Sequence, residues 1–218
     1  MTGMHNLGTP SERIVMLDLG NVLVQFDHQI AIDALADLCG VARERIHRVV
    51  FQSGLQTAYE MGHVDDAGFV AAVQQRLGSR AASEDILRAY CDIFQPVEGM
   101  LEVVSEIESL GIPVGILSNT CSGHWDWIVS QSWPLLQRRY RPQILSFEIG
   151  SMKPHPEIYA ATEAATGLRG PQIFFTDDRG ENIAAAQLRG WHARPFESPQ
   201  QLRAEIADWL RSVHVLPN

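Results

Sequence analysis

Short apolar segments that end at polar residues are the sequence feature that constrains the fold most. The segments are Ile14–Leu17 before Asp18, Ile112–Leu117 before Ser118-Asn119-Thr120, Gln143–Phe147 before Glu148, and Ile173–Phe175 before Thr176-Asp177-Asp178. A short apolar run with a polar end is typical of a parallel strand that is buried on both faces. A weaker fifth strand is predicted near Trp191–Pro195. The sequence therefore predicts a parallel sheet with polar residues at its carboxyl edge.

Helical patterns alternate with these strands in the second half of the chain. The predicted helices are Met100–Leu110, Pro156–Thr166, Glu181–Arg189 and Gln200–Val213. Their apolar residues recur at helical spacing, and the first three are stopped by Gly111, Gly167 and Gly190. Strands that alternate with helices predict an α/β fold, here a Rossmann-like, doubly wound parallel sheet covered by helices on both faces.

One long segment after the first strand breaks the alternation because its pattern is almost entirely helical. The predicted helices there are Ile30–Leu38, Arg43–Phe51, Ala67–Leu77 and Glu84–Phe94. We interpret residues 28–94 as an inserted helical domain outside the sheet. Residues 1–27 and 95–218 then form the α/β core.

Charge and cysteine content exclude several classes of protein. The 218 residues carry a formal net charge of −9, which argues against nonspecific binding to a nucleic-acid backbone. Cys39, Cys91 and Cys121 are widely spaced, which argues against a disulfide framework or a zinc site. The sequence has no apolar run long enough to span a bilayer and no signal-peptide pattern, so we expect a cytoplasmic protein, as monomer or homodimer.

The polar residues at the strand ends form a chemically coherent set. The set comprises Asp18, Ser118, Asn119, Asp177, Asp178 and, on the loop after the third strand, Lys153, which is the only lysine among 17 basic residues. Ligands of open α/β sheets bind at the carboxyl ends of the strands. Clustered carboxylates would repel a phosphorylated substrate unless a cation intervened, and hard oxygen ligands suit Mg²⁺. An aspartate beside such a site can attack phosphorus.

Four segments resemble, in order, the motifs of the haloacid dehalogenase-like hydrolase superfamily, most of whose members are phosphatases. They are residues 17–23 (LDLGNVL), 117–120 (LSNT), 153–159 (KPHPEIY) and 174–182 (FFTDDRGEN). The resemblance implies that Asp18 is the nucleophile and that Ser118 contacts the transferring phosphoryl group. It implies that Lys153 holds phosphate and nucleophile together, with Asn119 also in the phosphate site.

The resemblance also implies a Mg²⁺ site. Asp18, the carbonyl of Gly20 and Asp178 correspond to its direct ligands. Asp177 is expected to lie in the second shell or to share the metal through water. Asn182 is expected to anchor the loop that carries these aspartates.

The helical insertion is similar to the small cap that this superfamily places between its first and second motifs. Residues 51–69, with Gly62-His63-Val64-Asp65, resemble the cap of a bacterial branch that includes α-glucose-1-phosphate phosphatases. The expected activity is Mg²⁺-dependent hydrolysis of a small phosphorylated metabolite through an aspartyl-phosphate, with sugar phosphates among the candidates.

Gly20 departs from the family pattern, because most phosphatases of the superfamily have an acid/base aspartate at this position. The candidates for a replacement are Asp27, His28 and His63, with His124 and His155 less well placed. Gly20 leads to the hypothesis that the enzyme favours sugar 1-phosphates, whose leaving oxygen needs less protonation than that of a primary alcohol.

Two other interpretations remain open. A 2-haloacid dehalogenase would also lack the second aspartate, but it would have no use for Asp177 and Asp178 as a metal site. A catalytically weakened protein that binds a phosphorylated ligand would have little reason to keep Asp18 as a nucleophile. A phosphonatase mechanism is excluded because it needs a cap lysine, and residues 28–94 contain none.

Overall fold

Five parallel strands form the central sheet of the structure, a computed structural model that describes residues 12–212. The strands in this range are β1 Ile14–Leu17, β2 Val24–Phe26, β3 Phe94–Pro96, β4 Val114–Ser118, β5 Gln143–Leu145, β6 Ile173–Asp177 and β7 His192–Pro195. The sheet order is β5-β4-β1-β6-β7, and all of its neighbouring strands are parallel. Because the chain winds outward from β1 in both directions, the predicted doubly wound α/β fold is confirmed.

Helices fill the connections on either side of this sheet. Those between β2 and β3 are α1 His28–Cys39, α2 Arg43–Ile46, α3 Leu55–Glu60, α4 Asp66–Leu77 and α5 Ser83–Cys91, with a π-helical segment at His47–Gln52. The later ones are α6 Met100–Ser109, α7 Ser122–Ser130, α8 Ser146–Ile149, α9 Pro156–Thr166, α10 Gly180–Leu188 and α11 Pro199–Ser212, with a 3₁₀ turn at Gly170–Gln172. No helix in residues 12–212 is long and apolar enough to cross a membrane.

The two faces of the sheet contact separate hydrophobic clusters because successive strand side chains point in opposite directions. Within β1, Val15 and Leu17 belong to the first cluster, whereas Ile14 and Met16 belong to the second. Helices α6 and α11 contribute to the first cluster, and α9 and α10 to the second. All four residues of β1 are buried, which explains its unbroken apolar sequence.

The helical segment between β2 and β3 joins the first of these clusters. Its buried residues Leu35, Tyr59, Phe69 and Tyr90 lie in the same cluster as Leu17 of the sheet. Strands β2 and β3 pair antiparallel, which brings the two ends of the segment together. The helices therefore pack onto one face of the core through a continuous apolar contact.

Several element boundaries predicted from the sequence are wrong. The predicted helix Glu84–Phe94 ends at Cys91, because Phe94 pairs with Phe26 in the two-stranded ribbon. The predicted helix Arg43–Phe51 divides into α2 and the π-helical segment. The predicted strand Gln143–Phe147 ends at Leu145, where α8 begins. These boundaries depend on tertiary pairing that apolar periodicity does not report. The predicted end of the last helix, Val213, lies outside the described residues.

Candidate active site

Three adjacent strands bring the predicted site residues to one edge of the sheet. Asp18 follows the central strand β1, Ser118 ends β4 and Asp177 ends β6. A cavity of about 190 Å³, hereafter the site cavity, opens at this edge. It is lined by core residues Asp18, Leu19, Gly20, Asn21, Ser118, Asn119, Thr120, His124, Met152, Lys153, Asp178, Arg179 and Asn182, and by Phe26, His28, Gln56, Glu60 and Phe94.

Lys153 is a buried cation whose three ammonium protons all have acceptors. Its Nζ atom lies 2.8 Å from Asp18 Oδ1, 2.6 Å from Asp177 Oδ2 and 2.8 Å from the carbonyl oxygen of Leu117. Burial lowers its pKa, but the two carboxylates outweigh that effect and raise the pKa above its ordinary value. The ammonium group therefore links the ends of β1, β4 and β6.

Asn119 fixes the backbone on which this lysine sits. Its Nδ2 atom donates to the carbonyl oxygen of Lys153 over 2.8 Å, and its Oδ1 atom accepts from the Lys153 amide over 2.7 Å. The sequence placed Asn119 in the phosphate site, and it does line the cavity. Both ends of its side chain, however, bond to the backbone of Lys153, which is a positioning contact.

Asp177 is fully buried, and protein donors surround its carboxylate. Oδ1 accepts from the amide of Arg179 over 2.9 Å, and Asn182 Nδ2 lies 2.9 Å and 3.0 Å from the two oxygens. Lys153 takes the remaining position on Oδ2. The structure thus bonds Asn182 to Asp177 and leaves the Asp177 carboxylate with few free lone pairs.

The site carries more negative than positive charge. Asp18, Asp177 and Asp178 each offer an oxygen within 4.8 Å of the others, and Lys153 is the cation that bonds to this group. Burial raises the pKa of Asp18 to about 7, since the opposing charge of Lys153 is partly offset by that of Asp177. Asp178 is exposed, and its Oδ2 accepts from Asn21 Nδ2 over 2.8 Å. An excess of hard oxygen ligands at an open cavity fits a divalent cation such as Mg²⁺.

The space beside Gly20 is occupied by an aromatic ring. A Cβ atom on Gly20 would lie 2.9 Å from Cε1 of Phe26, which is closer than such contacts allow. The Phe26 ring is itself held between His28 and Phe94, at centroid distances of 5.0 Å and 5.8 Å. An aspartate at position 20 would therefore require this ring to move.

The structure brings only two of the predicted replacement acids to the cavity, His28 and His124. Asp27 is exposed and caps α1, where its carboxylate accepts from the amide of Gln29 over 2.8 Å. His63 and His155 are exposed and do not line the site cavity.

Other cavity residues had no role assigned from the sequence. Gln56 and Glu60 reach the cavity from α3, a helix that the periodicity did not predict. Asn21 adopts a left-handed conformation at φ 56°, which lets it turn toward Asp178. Asparagine is among the few residues that tolerate this conformation, so its place in the first motif is a signal that could have been used. Arg179 lines the cavity and pairs with Glu181.

Solved structures with the same fold include a HAD family enzyme, a predicted HAD-like hydrolase and a dehalogenase. A HAD family enzyme from Bacteroides thetaiotaomicron, solved with magnesium and inorganic phosphate, matches at a TM-score of 0.76 with 23% identity over 85% of this chain and 94% of that one. A predicted HAD-like hydrolase from Porphyromonas gingivalis matches at 0.76 with 18% identity over 91% and 98%. An L-2-haloacid dehalogenase from Xanthobacter autotrophicus matches at 0.59 with 22% identity over 89% and 82%.

A family model places the sequence more firmly than these structures do. The model of the haloacid dehalogenase-like hydrolases matches residues 12–189, which include all four motif segments and the helices between β2 and β3. The chain therefore belongs to the haloacid dehalogenase-like hydrolase family.

Proposed function

We propose that this hydrolase cleaves phosphomonoesters of small metabolites in a Mg²⁺-dependent reaction that passes through an aspartyl-phosphate. The observation that carries the proposal is the position of Asp18, which is buried at the end of the central strand, bonded to Lys153 and grouped with two further carboxylates. The arrangement supplies a nucleophile together with an excess of oxygen ligands, which suits a substrate bound through a cation.

Each residue near Asp18 has a distinct task in this proposal. Asp18 attacks phosphorus, while Lys153 keeps the attacking carboxylate in place and contributes positive charge beside it. Ser118, with its hydroxyl at the end of β4, contacts the phosphoryl group, and Asn119 fixes Lys153. The hydrogen bond between Asn182 and Asp177 holds the loop between β6 and α10, which carries Asp178.

Asp18, Asp178 and the carbonyl oxygen of Gly20 would hold the Mg²⁺ ion. Asp177 lies within the same group of carboxylates, but its oxygens already accept from Lys153, Asn182 and Arg179. We therefore expect Asp177 to hold these neighbours in place and not to bind the ion directly. Bound Mg²⁺ would offset the negative charge of the substrate's phosphoryl oxygens.

We also propose that residues 28–94 act as a cap that selects the substrate. Helix α3 contributes Gln56 and Glu60 to the cavity, and α1 contributes His28. These polar groups, together with Arg179 of the same cavity, favour a hydroxylated leaving group, which keeps sugar phosphates among the candidates. The similarity of this segment to the α-glucose-1-phosphate phosphatase branch supports the same class.

The carboxylate group disfavours a dehalogenase reaction, although a dehalogenase shares the fold. A 2-haloacid is itself an anion, and Asp177 and Asp178 would repel it without serving the reaction. A protein that only binds a phosphorylated ligand would not need a carboxylate nucleophile bonded to a buried lysine.

The decisive experiment compares wild type with Asp18→Asn on a panel of phosphomonoesters, with and without Mg²⁺. We expect phosphate release by the wild type to require Mg²⁺ and to fall on the order of 10⁴-fold or more in the variant, the scale that follows loss of a nucleophile. Trapping of ³²P on the wild-type protein by acid quench would mark the aspartyl-phosphate. Equal rates in the two proteins would overturn the mechanism, and chloride release from 2-chloropropionate without Mg²⁺ would identify a dehalogenase.

A further inference from the structure

Gly20 leaves the proposed phosphatase without a proton donor next to the nucleophile. The Phe26 ring fills the space that an aspartate there would occupy. Alkoxide leaving groups are poor without a proton, and a positioned acid typically contributes about 10² to 10⁴ in rate. The cavity therefore needs a donor from another element, and its titratable lining residues are the candidates.

Glu60 is held over the cavity by a bridge from the cap to the core. It ends α3, and its carbonyl oxygen lies 2.6 Å from Ser146 Oγ at the start of α8. The same hydroxyl accepts from the amide of Thr120 over 2.9 Å, two residues beyond Ser118. The backbone of Glu60 is thus tied to the strand end that carries the phosphate-binding serine.

A close backbone contact just after Glu60 supports this placement. Gly62 has a left-handed φ of 69°, and a Cβ atom on it would lie 2.1 Å from the carbonyl oxygen of Phe147. Only glycine fits such an approach without backbone movement. The end of α3 is consequently pressed against α8, and Glu60 lines the same cavity as Asp18, Ser118 and Lys153.

The surroundings of the Glu60 carboxyl group favour its protonated form over the free carboxylate. Its Oε1 accepts from Gln56 Nε2 over 2.7 Å. Burial raises the pKa of Glu60, and neither this hydrogen bond nor the charge of Arg179 fully offsets the effect. The neighbouring groups whose pKa responds to Glu60, Tyr90 and Cys121, are themselves held neutral by burial.

The histidines in the cavity are poorer donors. His28 lies between the rings of Phe26 and Phe51, at 5.0 Å and 4.9 Å, and burial lowers its pKa. His124 stacks on Tyr90 at 4.4 Å, its Nε2 lies 3.4 Å from the Tyr90 carbonyl oxygen, and burial lowers its pKa to about 3. Both imidazoles are therefore neutral at neutral pH and lack the acidic proton.

We propose that Glu60 is the general acid and base of this enzyme, supplied by the cap in place of the aspartate absent at position 20; the inference rests on the proposed phosphatase function. In the first step an Asp18 oxygen bonds to phosphorus and the bond from phosphorus to the leaving oxygen breaks. The Glu60 proton moves to that oxygen. The products are a neutral alcohol, the Asp18 acyl phosphate and the Glu60 carboxylate.

The second step restores both side chains. Water attacks the phosphorus of the acyl phosphate, and the Glu60 carboxylate takes one of its protons. The bond between phosphorus and the Asp18 oxygen breaks, which releases hydrogen phosphate and regenerates the Asp18 carboxylate and the protonated Glu60. The sum is one ester and one water consumed, with one alcohol and one phosphate formed.

A leaving-group comparison in Glu60→Gln tests the proposal. Glutamine has the size of glutamate and still accepts from Gln56, but it cannot transfer a proton. With Mg²⁺ present, we expect kcat/KM for an alkyl ester such as glucose 6-phosphate to fall about 10²-fold. We expect kcat/KM for p-nitrophenyl phosphate to change less than about threefold. Its phenolate departs without a proton, and kcat/KM depends only on the steps up to this departure.

The second step gives an independent readout from the same variant. Loss of the base should slow hydrolysis of the acyl phosphate, so Glu60→Gln should release a burst of about one p-nitrophenolate per active site before a slow steady state. The basic limb of the pH profile for the alkyl ester should also disappear. Glu44→Gln is the matched control, because Glu44 is an exposed cap carboxylate outside the site cavity. It should behave as wild type in all three measurements.

The possible outcomes separate the two proposals. Equal losses of kcat/KM on both esters, or no loss on either, would show that Glu60 is structural or unused while Asp18 chemistry stands. If His28→Asn, and not Glu60→Gln, lowered kcat/KM for the alkyl ester alone, His28 would be the general acid and the inference would be overturned. Failure of the wild type to hydrolyse either ester, with no difference from Asp18→Asn, would overturn the proposed function and the role of Glu60 with it.

Discussion

The floor and the roof of the site cavity are built in different ways. The site floor comprises Asp18, Ser118, Lys153, Asp177 and Asp178, and the site roof comprises Phe26, His28, Gln56 and Glu60. Four floor residues lie at or just after the ends of β1, β4 and β6, and Lys153 lies on the loop between α8 and α9. The Lys153 ammonium group bonds to Asp18 and Asp177. Roof residues come from β2, α1 and α3. They are held by ring contacts, by the hydrogen bond between Gln56 and Glu60, and by the hydrogen bond from Ser146 to the Glu60 carbonyl oxygen.

The difference shows which part of the site is fixed by electrostatics and which by packing. In the floor, Lys153 and Asp177 each satisfy several partners, so moving one residue leaves a buried charge unpaired. In the roof, Phe26 takes up the space beside Gly20, and α1 and α3, which carry the polar groups, pack on the core through their buried residues. Floor variants should therefore affect stability and activity together, whereas roof variants should separate the two.

The largest effect is expected at Lys153. Lys153→Met would leave the buried carboxylates of Asp18 and Asp177 without their cation and should lower the free energy of unfolding by about 3–5 kcal/mol, measured by urea denaturation. Lys153→Arg keeps the charge but enlarges a fully packed side chain, so we expect a smaller cost of about 1–3 kcal/mol. The arginine variant should still lose most activity because its planar fork crowds the phosphate.

These two variants can contradict the proposed floor. Near-normal turnover in Lys153→Arg would show that only the charge matters. Wild-type stability in Lys153→Met would show that the carboxylates do not depend on this ion pair.

An intermediate effect is expected where floor and roof meet. Gly20→Asp places a side chain against the Phe26 ring and should destabilise the protein by about 1–3 kcal/mol. The double variant Gly20→Asp/Phe26→Ala lacks the ring, so the clash is absent. Its loss of unfolding free energy should be at least about 1 kcal/mol smaller than the sum of the losses in the two single variants. Additive costs would show that the ring does not restrict position 20.

The smallest effect is a pH dependence of stability at Glu60. Burial raises the pKa of Glu60 in the folded protein above its ordinary value of 4.5. As the pH rises past 4.5, the folded protein therefore keeps more of the Glu60 proton than the unfolded chain does. Stability then falls with rising pH, by the sign of the proton linkage. The unfolding free energy of wild type should decrease relative to that of Glu60→Gln between acid and neutral pH. A constant difference across that range would show that burial does not hold the Glu60 proton.

The floor was largely predictable because its residues follow strands that the sequence marks clearly. Asp18, Ser118 and Asp177 end apolar runs, and parallel strands place such ends at one edge. Lys153 was recognisable as the only lysine of the chain. One acceptor of its ammonium group could not be predicted, because the sequence does not indicate that the carbonyl oxygen of Leu117 bonds to a lysine.

The roof was largely not predictable. Helix α3 is six residues long, too short to show a clear helical period, so the positions of Gln56 and Glu60 had no signal. His28 was considered for its place in the chain, while Asp27 and His63 looked equally suitable. Only the packing of the helices between β2 and β3 distinguishes them, because it places His28 in the cavity and leaves the other two exposed.

The sequence by itself determined the fold class and the types of residue that gather at the sheet edge. A strand that is buried on both faces is apolar, and here polar residues follow directly where such strands end. The tertiary structure decided that Phe26 occupies the space beside Gly20 and that Glu60 enters the same cavity as Asp18. The Phe26 ring is placed by the pairing of Phe26 with Phe94, and Glu60 by the hydrogen bond from Ser146 to its carbonyl oxygen. Each of these two contacts joins segments that are far apart in the chain. Local periodicity does not encode such contacts.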